Sequence, residues 1–106
     1  MTLIAGLFMA ATAQPVPAPS TSIQSPIAAA IDCVRLKARP LAVTARTETG
    51  IAYEAVRACE ARLDALPSPR EGASERERNT SASLRIALLD RMFEEAQAAV
   101  RQQRGR

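Results

Sequence analysis

Thr47-Glu48-Thr49-Gly50-Ile51-Ala52-Tyr53-Glu54-Ala55-Val56-Arg57-Ala58-Cys59-Glu60-Ala61-Arg62-Leu63-Asp64-Ala65-Leu66 is the stretch that decides the fold. Ala52, Ala55, Val56, Cys59, Leu63 and Leu66 recur at the i, i+3, i+4, i+7 spacing of a helix with one apolar face. Glu54, Arg57, Glu60, Ala61 and Asp64 fall away from that stripe, and Tyr53 also lies off it. Thr47 is a good N-cap, and Glu48 stands in the first turn, where the helix dipole favours a carboxylate. Pro67-Ser68-Pro69 ends the pattern. The spacing predicts a helix over residues 48–66.

The same periodicity continues on both sides. Ile27, Ala30, Ile31, Val34 and Ala38 form an apolar stripe, with Asp32, Arg35 and Arg39 opposite. Ser25-Pro26 reads as N-cap and first helical residue. Pro40 should kink this helix, because it offers no N–H to the carbonyl of Leu36. Downstream, Ser74-Glu75-Arg76-Glu77 has the S-x-x-E form of a capping box. Asn79-Thr80-Ser81 are poor helix formers, so a start near Ser81 competes with one at Glu75. Leu88, Leu89, Met92, Phe93, Ala96 and Val100 then make a broad apolar face. Asp90, Arg91, Glu94, Glu95 and Arg101 are on its far side. Arg85 falls on the apolar face, its stem packing while its head reaches water.

Without Phe8, the only aromatics are Tyr53 and Phe93, and there is no Trp. No run alternates as a strand would. A core of Ala, Leu, Ile and Val suits close helix packing. The reading is an all-α, three-helix domain over residues 26–102, with helices at about 26–44, 48–66 and 75–102. A disulfide-linked N-terminal helical hairpin is its first half, and residues 103–106 form a basic tail.

The two cysteines, Cys33 and Cys59, both lie on predicted helices near an apolar face. They are symmetric about position 46. If the first helix runs through Pro40 to Thr44, both arms of the hairpin are about 11 residues and the cysteines are level. If it stopped at Arg39, the mismatch would be roughly 7–8 Å along the axis. The spacing therefore favours a kinked helix through Pro40 and a Cys33–Cys59 disulfide. There is no C-x-x-C motif to suggest a thioredoxin-like site.

The layout of Cys33, a turn with Thr47-Glu48-Thr49, and then Ala58-Cys59-Glu60 is similar to that of small exported bacterial two-cysteine helical proteins of unknown function. The resemblance spans residues 27–66. It implies the paired helices and export, and it carries over no functional residues.

The amino-terminal end gives an address. Leu3 to Ala11 is an apolar run that leads into Ala11-Thr12-Ala13, an A-x-A cleavage pattern, and then Gln14-Pro15. This is the form of a signal peptide over residues 1–13. Its n-region is only Met1-Thr2, so the free amino terminus is the sole positive charge ahead of the run. A bilayer span needs about 20 apolar residues, roughly twice what is here. Residues 14–25, with Pro15, Pro17 and Pro19 followed by Ser20-Thr21-Ser22, read as a Pro/Ser-rich linker. The expected location is periplasmic or secreted, after cleavage near Ala13. There the cysteine pair would be oxidised.

The composition also limits the chemistry. There is no His, which removes the usual general base, the Ser-His-Asp and Cys-His arrangements, and the common zinc sites. Each of the four glycines stands alone, so no phosphate-binding loop is present. Glu94-Glu95 point about 100° apart on the polar side of a helix and read as a solvated face. The net charge is +3, and Arg57, Arg62, Arg76, Arg78 and Arg91 are interleaved with acids, unlike a nucleic-acid-reading helix. No catalytic, cofactor-binding or metal-binding residue is expected, nor any nucleic acid partner or membrane span after cleavage. The function that fits best is a non-enzymatic interaction or accessory protein of the cell envelope, with an envelope protein as partner. The alternative is a small binding module for an anionic envelope lipid or polymer, acting through Arg101, Arg104 and Arg106. An enzyme is the least supported reading.

Overall fold

The computed structural model describes residues 21–106, with side chains from residue 25 onward. The signal-peptide reading of residues 1–13 and the first part of the 14–25 linker lie outside the described residues. The described chain is all-helical. α1 spans Thr21–Leu41, α2 spans Glu48–Cys59, a 3₁₀ turn spans Glu60–Ala65, and α3 spans Glu75–Arg104.

α1 already runs at Thr21, ahead of the Ser25-Pro26 start, so both residues lie inside it. Pro26 withholds one N–H, from the carbonyl of Ser22, and a single gap so near a helix start is tolerated. At the other end, Pro40 lets the helix continue only as far as Leu41, three residues short of the expected Thr44. The chain then tightens instead of unwinding. The Ala42 N–H is shared between the carbonyls of Ala38 and Arg39, at 3.1 Å each, and the Thr44 N–H reaches the Leu41 carbonyl at 3.0 Å. The cysteines are level despite the shorter helix, with Cα atoms 5.9 Å apart.

Thr47 caps α2, its hydroxyl accepting from the Gly50 N–H at 3.0 Å. α2 is shorter than the sequence suggests. It ends at Cys59, and residues 60–65 tighten into a 3₁₀ turn. Three-residue winding stacks Glu60, Leu63 and Leu66 on one line, whereas α winding would rotate each step by about 60°. Leu63 is thereby fully buried, and Leu66 packs on the core's edge. Leu66 turns extended, with ψ 148°, as the residue before a proline should. Gly72 then holds φ +84° in a turn closed by Ala73 N–H to the Arg70 carbonyl, a conformation that favours glycine.

The capping box settles where α3 begins. The Ser74 hydroxyl accepts from the Glu77 N–H at 3.1 Å, and the Ser74 N–H donates to the Glu77 carboxylate at 3.4 Å. That reciprocal pair outweighs the poor propensity of Asn79-Thr80-Ser81, and α3 starts at Glu75.

Each helix buries a row of residues spaced four apart. On α1 it is Ala30, Val34, Ala38 and, just past its end, Ala42. On α2 and the 3₁₀ turn it is Ile51, Ala55, Cys59 and Leu63. On α3 it is Leu88, Met92, Ala96 and Val100. Such rows form ridges that pack into the grooves of a neighbouring helix. The alanines let the backbones approach, so three helices make a dry core without Trp. Among the described residues, no polar or charged side chain is fully buried.

Candidate binding surface

The disulfide is the covalent centre of the fold. Cys33 and Cys59 are joined, with Cα atoms 5.9 Å apart, inside the 4.4–6.8 Å that the bond requires. Cys59 is buried where α2 gives way to the 3₁₀ turn, and Cys33 is half-buried on α1. The crosslink ties the middle of α1 to the point where α2 passes into the 3₁₀ turn, a turn that packs chiefly on α1.

Charged residues stitch the helices together around this centre. Arg35 of α1 holds Glu95 of α3 at 2.6 Å, and Arg91 approaches the same carboxylate at 3.8 Å. Glu95 is therefore an inter-helix partner and not one of a solvated pair. Its position on the flank of α3 that faces α1 separates it from Glu94, which stays exposed. Arg85 is half-buried, and its head pairs with Asp64 at 3.1 Å instead of reaching only water. Tyr53 is exposed, with the Arg57 guanidinium 5.9 Å above its ring.

The three C-terminal arginines do not form a free tail. α3 continues to Arg104, past the expected end at Gln102. Arg101 pairs with Glu48 at the start of α2, at 2.7 Å. Arg104 reaches into the α1–α2 turn and donates to three backbone carbonyls: Ala42 at 2.8 Å, Thr44 at 3.2 Å and Arg46 at 2.5 Å. These carbonyls close a helix end and a turn, where the backbone has acceptors left over. Of the three, only the Arg106 guanidinium is left without a bonded partner among the described residues, its backbone N–H donating to the Gln103 carbonyl at 3.4 Å. Sequence reading missed this latch because its partners lie 58–62 residues away, beyond any local periodicity.

Several surfaces are open among the described residues. One is a groove of about 460 Å³ between the 3₁₀–proline segment and the first half of α3, lined by Leu63, Leu66, Pro67, Pro69, Leu84 and Arg85 among others. Another is the hairpin tip, where Leu36 and Val43 are 65% and 81% exposed. No group of three or more His, Cys, Asp or Glu residues that could hold a metal occurs among the described residues. No described helix is long and apolar enough to cross a membrane. Comparison with family models, curated proteins and solved structures finds no match to this chain.

Proposed function

We propose that this chain is an exported, non-enzymatic interaction or accessory protein of the bacterial cell envelope. The observation that carries the reading is the Cys33–Cys59 disulfide built into a small alanine-rich core. A crosslink of this kind is compatible with an oxidising compartment. It accords with the Leu3–Ala13 pattern of an export signal and with the resemblance to small exported two-cysteine proteins. The bundle offers surfaces that a partner could cover: an apolar groove beside α3 and an exposed hairpin tip. The lack of any His in the chain favours binding over catalysis.

Cell fractionation followed by N-terminal sequencing tests this reading. The expected result is a chain outside the cytoplasm that begins at Gln14, within a residue or two. Full-length chain with Met1 intact, held in the cytoplasm, would overturn it.

A further inference from the structure

Charge is distributed unevenly along the bundle. The bonds of Arg104 to the α1–α2 turn and of Arg101 to Glu48 place the end of α1, the start of α2 and the end of α3 together. This end holds six of the 14 cations: Lys37, Arg39, Arg46, Arg101, Arg104 and Arg106. Against them stand only Glu48 and Glu54, a balance of +4 in a chain whose total is +3. The rest of the molecule is therefore at −1. Lys37 and Arg39 make no ion pair among the described residues.

Exposed apolar side chains stand at the same end. Leu36 and Pro40 are four apart on α1 and share the face opposite the buried Val34–Ala38 row. Val43 follows at the turn and is 81% exposed. Lys37 and Arg39 flank this stripe on either side by their helical positions. A basic end bearing protruding aliphatic groups is the chemistry that recognises an anionic bilayer surface. Cations take the headgroup charge, and the aliphatic groups enter the acyl boundary. A nucleic acid or anionic polymer would use the same cations but would leave Val43 and Leu36 in water.

We infer that the hairpin tip docks on the surface of a membrane that carries anionic phospholipid. This deepens the envelope reading by naming a partner, and it moves the anionic contact from the C-terminal tail to the tip.

The test is co-sedimentation of the chain, as isolated from its cells, with vesicles of equal phosphatidylglycerol and phosphatidylcholine. Vesicles of phosphatidylcholine alone and a duplex DNA oligonucleotide serve as comparisons. Binding should be strong only to the phosphatidylglycerol vesicles and should fall steeply between 0.1 and 1 M salt. Val43→Asp should weaken it by about tenfold, by removing an aliphatic contact. Lys37→Glu with Arg39→Glu should weaken it by at least about 25-fold, roughly fivefold per cation lost. Arg70→Glu with Arg76→Glu makes the same charge change at the opposite end and should leave binding within about twofold, since exposed charges a Debye length or more from the surface are screened. Circular dichroism on each variant confirms that the exposed substitutions leave the helices intact. Equal loss from the two charge-reversal pairs would mean that net charge alone acts, and would overturn the inference. So would Val43→Asp binding like the parent, or DNA being bound as tightly as the vesicles. Fractionation reads the export reading separately, so failure of either is recognisable on its own.

Discussion

Replacing Arg104 by Met should melt the latch while leaving the helix that carries it. The methionine keeps an aliphatic stem for packing and removes all three bonds to the Ala42, Thr44 and Arg46 carbonyls. A hydrogen bond to a charged group contributes about 1.5–3 kcal/mol when shielded from water. Only the bond to Ala42 is partly buried here. The other two are exposed, and water can take over their carbonyls at little cost, so about 0.5 kcal/mol each is a fair share. With about 1.5–2 kcal/mol for the partly buried Ala42 bond, the expected loss is about 2.5–3 kcal/mol in all. For a domain of this size that lowers Tm by roughly 10–20 °C. Arg106→Met is the internal control, because the Arg106 guanidinium has no bonded partner among the described residues and the residue is exposed. Thermal melts of both variants under oxidising conditions make the comparison. If Arg104→Met melts within a degree or two of Arg106→Met, the arginine is merely a solvated terminus, and the latch as described is wrong.

Two further outcomes follow from the core and its crosslink. Cys33→Ser removes the disulfide at its half-buried partner. For a sequence separation of 26, loop entropy predicts a loss of about 3.5 kcal/mol, visible as a Tm drop of about 15–25 °C. Dithiothreitol should produce a similar drop in the parent and none in the variant. Met92→Ala empties a site that is 1% exposed and should cost about 2–5 kcal/mol in a denaturant titration. By contrast Ile86→Ala, at a position 61% exposed, should fall within about 0.5 kcal/mol of the parent.

The helical character and the cysteine pairing were legible because each rests on local periodicity. Ala52, Ala55, Cys59 and Leu63 repeat within one helix and its continuation. The symmetry of Cys33 and Cys59 about the turn needs only counting. The capping box at Ser74–Glu77 was equally visible, and the structure chose it over the later start. What could not be read was whatever depended on distant partners. Glu95 stands beside Glu94 in sequence but belongs with Arg35, 60 residues earlier. Arg104 is matched to a turn on another helix. α1 departs from its sequence pattern at both ends, because Pro26 does not mark its start and Pro40 lets it run no further than Leu41. The change of α2 into a 3₁₀ turn keeps Leu63 and Leu66 on one line, a choice made by packing against the other helices. The exposed tip was hidden for a related reason. Leu36 and Val43 are ordinary until the fold brings six cations to the same end of the bundle.

The state of the two cysteines in the chain recovered from its cells tests the account at its centre. The chain is unfolded without reductant, alkylated with a thiol-specific reagent, and weighed by mass spectrometry before and after reduction. The account predicts no alkyl groups before reduction, two after it, and a non-reduced digest in which the Cys33 peptide is joined to the Cys59 peptide. Two alkyl groups before reduction would contradict the stapled hairpin and the oxidising location together.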